Sequence, residues 1–393
     1  MQRIGDEQRR ARLALRHHLA PSVRSADVVA VAGDLAGLHA TDPATIVLSA
    51  GARLTVPALP ALQQALYADR TLLRILGMRR TVFVVPVDLA PAIQAACARA
   101  LVRGERRRFV AMLEGAGIAE DGERWLRDAE RETLAALSAR GEASAKELAE
   151  DVPALRARIT VAAGKPYEAS QGAGSRVLFI LAAQGQIVRG RPQGSWTSMM
   201  YRWAPAATWV PGGIAQLDTD EAAAVLARRW LAAFGPATMT DLKWWTGWTV
   251  ALCERALARV ETAEVALDGG ATGLVLAGDE APLRAPEPWA ALLPALDPAP
   301  MGWKERDWYL GEHRDALFDR SGNVGPTVWW EGSIVGGWAQ RADGEVVLRM
   351  LEDVGAGAVA AIEREAARLQ AALGELRVTP RFRTPLEREL VAA

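Results

Sequence analysis

The chain has 393 residues and a formal net charge of −1 at pH 7. At roughly 150 residues per domain, this length predicts two or three domains, and because 50% of the residues are hydrophobic and 24% are charged, a largely disordered chain is excluded. The near-neutral total hides an asymmetry: residues 1–110 contain 16 Arg but 8 Asp or Glu, a local charge of +8, so the remainder carries −9. A neutral total therefore does not exclude a nucleic-acid partner.

The sequence also predicts a reducing compartment and no cofactor. Cys97 and Cys253 lie far apart, with no Cys-x-x-Cys motif and no cluster of Cys and His ligands, which argues against structural zinc. No phosphate-binding Gly-rich loop, nucleophile elbow or His-Glu-x-x-His motif is present, so nucleotide hydrolysis, serine hydrolysis and metalloprotease chemistry lose support. The N-terminus lacks a signal-peptide core, and no apolar run of about 18 residues occurs. We expect a cytoplasmic protein without membrane segments.

The first predicted unit is a set of helices closed by a hairpin. Apolar residues three and four apart predict four helices, over about 6–20, 26–38, 42–48 and 56–67. The apolar, β-branched stretch 72–85 has Gly77-Met78-Arg79-Arg80 in its middle, which predicts a β-hairpin with a basic tip. Several helices followed by a two-stranded hairpin is the order of a winged helix.

The same order recurs twice before the pattern changes. Residues 118–200 and 218–280 each show helices followed by two strands, with strands predicted at 186–191, 196–202, 264–267 and 272–276. From Trp289 onwards Gly and Pro punctuate short apolar runs, which suggests a small antiparallel β-barrel. A helix over 358–373 and a strand over 376–379 complete the chain. The sequence thus predicts an α+β fold of three helical units, each closed by a hairpin, and a barrel.

One of the four histidines is a candidate for chemistry. His17 and His18 fall in an Arg-rich helix, where a solvated face is the simplest interpretation. His39 is predicted to end the second helix, with Thr41 two residues later and Asp42 capping the next helix. Three short polar groups at this turn suit the positioning of a water molecule. The alternatives are a His satisfied by a helix carbonyl and an Asp that serves only as a cap.

Two groups of arginines are candidates for contact with a phosphate backbone. Arg79 and Arg80 occupy the hairpin tip, whereas the run Arg103, Arg106, Arg107 and Arg108 is explained equally well by a solvated surface. Of the 14 tryptophans, 13 follow residue 190. They could stack on bases, but packing in the core and between domains is the simpler interpretation.

Five segments of the chain carry a shared signature. They are Gly37-Leu-His-Ala-Thr-Asp-Pro-Ala, Gly77-Met-Arg-Arg-Thr-Val-Phe-Val-Val, Pro192-Gln-Gly-Ser-Trp196 with Tyr201-Arg-Trp-Ala-Pro205, Gly235-Pro-Ala-Thr-Met-Thr-Asp-Leu-Lys-Trp-Trp-Thr-Gly247, and Leu293-Pro-Ala-Leu-Asp-Pro with Gly302-Trp-Lys-Glu-Arg-Asp-Trp-Tyr-Leu310. In this order they resemble the AlkZ/YcaQ family of winged-helix DNA glycosylases, and the match spans nearly the whole chain.

This resemblance implies both a fold and an activity. The fold would be C-shaped, with winged helices at 1–115, 116–210 and 211–285 around a β-barrel at 286–393, and a monomer would bind duplex DNA in the concave channel. Family members remove bulky alkylated purines, typically guanine alkylated at N7, and some unhook interstrand crosslinks. The family's catalytic motif is Gln-Φ-Gln or Gln-Φ-Asp, where Φ is apolar. This chain has His39-Ala40-Thr41 at that position.

The resemblance also assigns roles to individual residues. The hairpin residues Met78–Thr81 would lie against the minor groove, with Arg79 and Arg80 contacting phosphates or the lesion strand. Because bulky adducts do not fit a snug pocket, an open cleft is expected rather than full base extrusion.

The chemistry needed from the motif is modest. An N7-alkylated purine is cationic, so the protein mainly holds a water below the anomeric carbon and stabilises a cationic sugar. A neutral His39 would accept the proton of the water, Thr41 would be a second hydrogen-bond partner, and Asp42, the nearest carboxylate in sequence, would provide the missing negative charge. With an unperturbed His pKa of ~6.5, activity should fall in acid. No Lys lies near the motif, which predicts a monofunctional enzyme.

Two other classes of function remain open on the sequence. A winged-helix protein of this fold without catalysis would bind DNA for lesion recognition or transcription regulation, and the substituted motif at His39 and Thr41 is what separates it from an enzyme. A protein-interaction scaffold is favoured only if the acidic remainder of the chain neutralises the basic first third.

Overall fold

The computed structural model describes residues 1–161 and 169–392 and combines helices with several small sheets. No helix in these two ranges is both long enough and apolar enough to cross a membrane.

The first part of the chain begins with a short strand and a helix, continues with three helices and a second short strand, and ends in a β-hairpin. The elements are β1 (Gln2–Arg3), α1 (Asp6–Arg16), α2 (Val28–Asp34), β2 (Leu38–His39), α3 (Pro43–Arg53), α4 (Ala58–Gln63, continued by a wider helical turn to Ala68), β3 (Leu72–Leu76) and β4 (Val82–Pro86). Asp27 caps α2 by accepting a hydrogen bond from the Val29 N–H. The helix start predicted at Asp42-Pro43 is confirmed, as is the hairpin of β3 and β4.

The second part contains a connecting helical region and a similar set. Its elements are α5 (Ala90–Ile93), α6 (Arg99–Gly115), α7 (Gly122–Arg140), β5 (Ala143–Ser144), α8 (Ala145–Asp151), β6 (Arg158–Val161), β7 (Ala169–Gly172), α9 (Ala173–Ala183), β8 (Ile187–Pro192), β9 (Tyr201–Pro205) and α10 (Ala206–Trp209). The capping box of Ser144 and Glu147 is confirmed. β9 starts later than predicted because the Gln193 N–H donates to the Met200 carbonyl, which closes the hairpin loop at that point.

The third set is shorter. It consists of α11 (Thr219–Phe234), α12 (Met239–Thr246), α13 (Val250–Leu257), β10 (Thr262–Ala266) and β11 (Thr272–Leu276). Asp218 caps α11, and Thr238 with Asp241 forms a capping box at α12. These caps explain why each helix begins directly after its polar capping residue.

All three sets share one strand order. A short segment directly after α2 or α7 pairs with the second strand of the hairpin, which gives the orders β2-β4-β3 and β5-β9-β8. In the third set Ala237 exchanges backbone hydrogen bonds with Leu274 of β11, and β10 flanks β11 on the other side, with β1 added in parallel beyond it. The prediction of three helical units closed by hairpins is confirmed.

The C-terminal part corrects the predicted barrel. Its elements are β12 (Ala290–Leu293), α14 (Asp307–Leu310), α15 (Arg314–Leu317), β13 (Thr327–Trp330), β14 (Ser333–Gln340), β15 (Val346–Met350), α16 (Gly355–Leu373) and α17 (Pro385–Ala392). The strands form an open sheet in the order β12-β13-β14-β15, and no closed barrel occurs in the described parts of the chain. Four short strands are too few to curl back onto themselves, and apolar residues of α16, including Ile362, cover one face of the sheet instead.

The strand predicted over 376–379 is also wrong. The Val378 N–H donates to the side-chain oxygen of Gln340 rather than to a neighbouring strand, so a side chain satisfies the backbone and no ladder forms.

One large core joins the first, third and C-terminal parts. It extends from Leu13 to Leu390 and includes Val188, Ala204 and Trp209 of the second part, which also has a core of its own between Phe109 and Ile187. Nine tryptophans are buried, which confirms packing as their main use: Trp209, Trp230, Trp245, Trp248, Trp289, Trp303, Trp308, Trp329 and Trp338. The solvated-face interpretation is wrong for His17, which is fully buried, with Nε2 3.1 Å from the Ala233 carbonyl oxygen.

Candidate active site

A sharp turn after α2 brings His39 against the hairpin. Gly37 has φ +116°, and a Cβ there would lie 2.9 Å from a methyl group of Val85, so the chain needs glycine at this position. β2 then pairs antiparallel with β4, which sets His39 opposite Phe83, and the two rings meet edge-on at 5.2 Å. The sequence places His39 at a helix end. The structure corrects this, because α2 ends at Asp34 and strand pairing holds His39.

The polar atoms of the motif are buried and unsatisfied. His39 is 4% exposed, and its Nδ1 has no hydrogen-bond partner among the described residues. The same holds for the hydroxyl of Thr41. Burial, together with the charge of Arg79, lowers the pKa of His39 to about 3, so the ring is neutral at physiological pH.

Asp42 is held by backbone groups on both of its oxygens. Oδ1 accepts a hydrogen bond from the Ala44 N–H at 2.9 Å, which caps α3. Oδ2 accepts one from the Arg381 N–H at 3.0 Å. This carboxylate therefore acts as a cap and as a link to the C-terminal part, the alternative that the sequence left open.

The tip of the β3–β4 hairpin points its residues in different directions. Arg79 and Arg80 adopt left-handed backbone conformations, with φ 50° and 62°, which are costly for non-glycine residues. Met78 is fully buried in the large core, so its side chain is not available to a ligand. The Thr81 hydroxyl donates to the Met78 carbonyl oxygen at 2.8 Å and closes the tip.

The two arginines of the tip have different surroundings. The guanidinium of Arg79 lies 4.1 Å from the ring centroid of Trp244, and its Nε is buried without a partner in the described residues. Arg80 forms an ion pair with Glu105 of α6, and its side chain is 49% exposed. Arg79 thus faces the interior of a cleft, and Arg80 lies on the surface with its charge partly balanced.

An open cleft collects four of the sequence-predicted residues. His39, Thr41, Arg79 and Thr81 line one side of a space of about 1000 Å³ that is partly open to solvent. Met78, Arg80 and Asp42 do not line it. The structure therefore brings together the motif and the hairpin tip, although His39 and Gly77 lie 38 positions apart in the sequence.

The other side of the cleft comes from parts of the chain that the sequence interpretation did not assign to the site. The lining residues are Trp244, Leu296, Met301, Arg306, Arg314, Ser321, Gly322, Asn323 and Phe382. Trp244 and Arg306 lie in two of the five segments that carry the resemblance. Their place in these segments was the sequence signal that could have assigned them to the site. Arg314, Asn323 and Phe382 lie outside those segments and reach the cleft only through tertiary packing.

The cleft is strongly electropositive. Arg79, Arg306 and Arg314 line it, and no described lining residue is Asp or Glu. Burial, followed by repulsion from Arg306, lowers the pKa of Arg79 to about 10. Burial also lowers the pKa of Arg306, and Arg314 adds to this effect. An anionic ligand would relieve the mutual repulsion of these side chains.

The second arginine group is not part of the cleft. Arg106 donates to Glu123 and Glu130, and Arg108 pairs with Glu105. No cluster of three or more His, Cys, Asp or Glu residues suited to a metal ion occurs in the described residues.

A family model described as DNA glycosylase AlkZ-like matches residues 32–372. Among solved structures, the Streptomyces sahachiroi DNA glycosylase AlkZ is similar in fold, with a TM-score of 0.74, 22% sequence identity, and coverage of 96% of this chain and 99% of that chain. No curated protein matches the chain.

Proposed function

Because this chain belongs to the family of AlkZ-like DNA glycosylases, which hydrolyse the N-glycosidic bond, we propose that it excises bulky or crosslinked N7-alkylated purines with His39 and Thr41 as the residues that position water. The observation that carries this proposal is the convergence of both side chains in one open, arginine-lined cleft. Their unsatisfied polar atoms, His39 Nδ1 and Thr41 Oγ1, would then hydrogen-bond to water or DNA.

The proposed step needs little acid or base catalysis. The bond from C1′ to N9 breaks with its electron pair going to the cationic purine, which leaves as a neutral base. A water oxygen then bonds to C1′ of the cationic sugar and loses a proton to solvent. His39, neutral because its pKa is lowered to about 3, accepts a hydrogen bond from this water and orients it, with Thr41 as the second partner.

The surroundings support hydrolysis without a covalent intermediate. No lysine is among the described residues that line the cleft, and an amine would be needed for Schiff-base formation. We therefore propose a monofunctional enzyme. The open cleft of about 1000 Å³ suits an adduct that is bound in place without full extrusion of the base.

For the architecture, we propose three winged helices at 1–115, 116–210 and 211–285, followed by the C-terminal part at 286–393. The shared strand order supports this, since in each unit a short segment that follows α2, α7 or α11 pairs with the second strand of the hairpin. In this arrangement the β3–β4 hairpin contacts duplex DNA with Arg79 and Arg80. We further propose that the protein acts as a monomer on DNA in the cytoplasm.

The experiment is incubation with duplex DNA that carries an N7-alkylguanine or a nitrogen-mustard crosslink, followed by cleavage of abasic sites. The wild-type protein should produce strand breaks, and His39→Ala should reduce the rate by roughly 100-fold or more, within the range of a positioned catalytic group. His18→Ala is the matched control, because His18 pairs with Asp34 outside the cleft. Tight binding of wild-type protein to the adduct without abasic sites would instead support a non-catalytic DNA-binding protein.

A further inference from the structure

The three arginines that line the cleft alternate with two aromatic rings, Trp244, which also lines it, and Phe318, which is buried. The guanidinium of Arg79 lies over the ring of Trp244 at 4.1 Å, and that of Arg306 lies over the same ring at 4.8 Å. Arg306 is also 5.0 Å from the ring of Phe318, and Arg314 is 5.4 Å from it. Stacking on aromatic rings holds planar guanidinium groups in fixed orientations.

The donors of these arginines are not used within the described part of the protein. Nε of Arg79 and both Nε and Nη1 of Arg306 are buried without a hydrogen-bond partner there, although Arg306 is only 4% exposed. Leaving a buried charged donor without a partner is costly. By contrast, the buried charge of Arg53 is paired with a carboxylate, because Arg53 donates hydrogen bonds of 2.8 and 2.7 Å to the two oxygens of Asp297.

The carboxylates near Arg306 do not accept hydrogen bonds from its buried donors. Asp241 and Asp307 attract its charge through space. However, Oδ1 of Asp241 accepts the N–H groups of Lys304 and Glu305, and its Oδ2 accepts a hydrogen bond from Thr238. The buried donors of Arg306 are therefore available to a ligand that carries acceptor oxygens.

We propose that Arg306 and Arg314, together with Arg79, form a binding site for a DNA backbone phosphate next to the target nucleotide. This inference rests on the proposed function, because the same cleft contains His39 and Thr41. Phosphate oxygens suit the fork of donors that a guanidinium presents. The site joins the first part of the chain to the C-terminal part, so DNA would be held from both sides of the cleft.

A bound phosphate also supplies a charge that the cleft lacks. The cationic sugar of the proposed step would be repelled by three arginines, and no described lining residue is a carboxylate. A phosphate between these arginines and the sugar places a negative charge closer to the reacting carbon than the guanidinium groups and so offsets part of their repulsion. The substrate thus provides the negative charge near the reacting carbon.

The test is equilibrium binding of a duplex that contains a tetrahydrofuran analogue of an abasic nucleotide, which does not depend on excision. Each phosphate around the analogue is replaced in turn by an uncharged methylphosphonate. We expect one or two positions where replacement weakens binding of the wild-type protein by roughly 10- to 100-fold, the value of a charged hydrogen bond. At those positions Arg306→Gln and Arg314→Gln should lose little further affinity, because their contact is already absent.

The controls separate charge from folding. Arg314 is exposed, so Arg314→Gln keeps the buried packing, and Arg306→Lys retains the charge and should keep part of the affinity. Arg3→Gln removes the same charge at an exposed ion pair with Asp268 and should bind like the wild type. The slope of log K against log salt should fall by about 0.9 for each lost phosphate contact.

Two results would overturn the assignment. In the first, the wild type and Arg306→Gln lose the same affinity at every methylphosphonate position. In the second, inorganic phosphate at constant ionic strength displaces DNA from the wild type but not from Arg306→Gln, with no position sensitive to methylphosphonate, which would assign the site to a free anion. A protein that passes this test but leaves N7-alkylguanine intact would refute the proposed function and not the phosphate site.

Discussion

At the scale of single residues, the buried polar atoms of the motif suit the proposed chemistry and also lower the stability of the protein. His39 and Thr41 keep buried polar atoms without partners in the described residues, and each such group costs on the order of 1–3 kcal/mol. Proteins retain this cost where a ligand later satisfies the group. The same burial decides the protonation state of His39, which the residue type alone does not reveal.

The pH dependence of excision follows from this burial. The pKa of His39 is lowered from its ordinary value of 6.5 to about 3, so the neutral form persists as the pH falls from 8 to 5. We expect kcat/KM, which reports the ionisation of the free enzyme, to stay level over this range. The measurement is excision of N7-alkylguanine under kcat/KM conditions, after subtraction of the reaction without enzyme.

An ordinary histidine would give a different profile. A loss of kcat/KM with a midpoint near pH 6.5 would show that His39 is exposed in the active form, contrary to the structure. His39→Gln provides the control, because glutamine cannot be protonated and any remaining acid dependence would then come from other groups.

At the scale of elements, the β3–β4 hairpin is where sequence and structure agree best. The two apolar runs on either side of a basic tip predict its position to within a residue or two, because strand pairing is a local consequence of apolar and β-branched residues around a turn. The directions of the tip side chains are not local. They depend on α12, which brings Trp244 against Arg79, and on α6, which brings Glu105 against Arg80.

This difference predicts unequal effects at the tip. Arg79→Ala should weaken binding to duplex DNA and lower the salt slope by about 1, since its donor is free. Arg80→Ala should have a smaller effect, because Glu105 already compensates the charge. Salt titrations of DNA affinity for both variants measure this, and equal slopes for Arg79→Ala and the wild type would remove Arg79 from the binding surface.

At the scale of the whole molecule, the cleft depends on how the first part is fixed to the C-terminal part. Arg53 of α3 and Asp297 are both fully buried and form a two-pronged ion pair. Ser49 also donates to Asp297 at 2.6 Å, and Thr45 donates to the Ala295 carbonyl oxygen at 2.8 Å. These contacts fix α3, and with it the motif, relative to the loop that carries Leu296.

Removing one member of this pair should be strongly destabilising. Asp297→Asn leaves the buried charge of Arg53 uncompensated, and we expect a loss of about 3–5 kcal/mol in the free energy of unfolding. The measurement is denaturant unfolding followed by far-UV circular dichroism. Glu389→Gln at the exposed pair with Arg349 is the matched control and should cost less than about 1 kcal/mol.

The sequence by itself determined most of the helices and hairpins, the three recurring helical units and the family. Caps, periodicity and turn residues act over a few neighbouring positions, so Asp42, Ser144 and the hairpin at 72–85 could be identified without a structure. The barrel was predicted wrongly because short apolar runs do not reveal whether the first and last strands pair.

Only the tertiary structure decided the composition and charge of the site. Burial and long-range packing bring Arg306 and Arg314, from the net-acidic remainder of the chain, against Arg79 and His39 from the basic first third. A net charge sums over residues without regard to position, whereas the potential in a cleft depends on the few side chains that face it. For this reason a chain with a net charge of −1 contains a cleft lined by three arginines and by no described carboxylate.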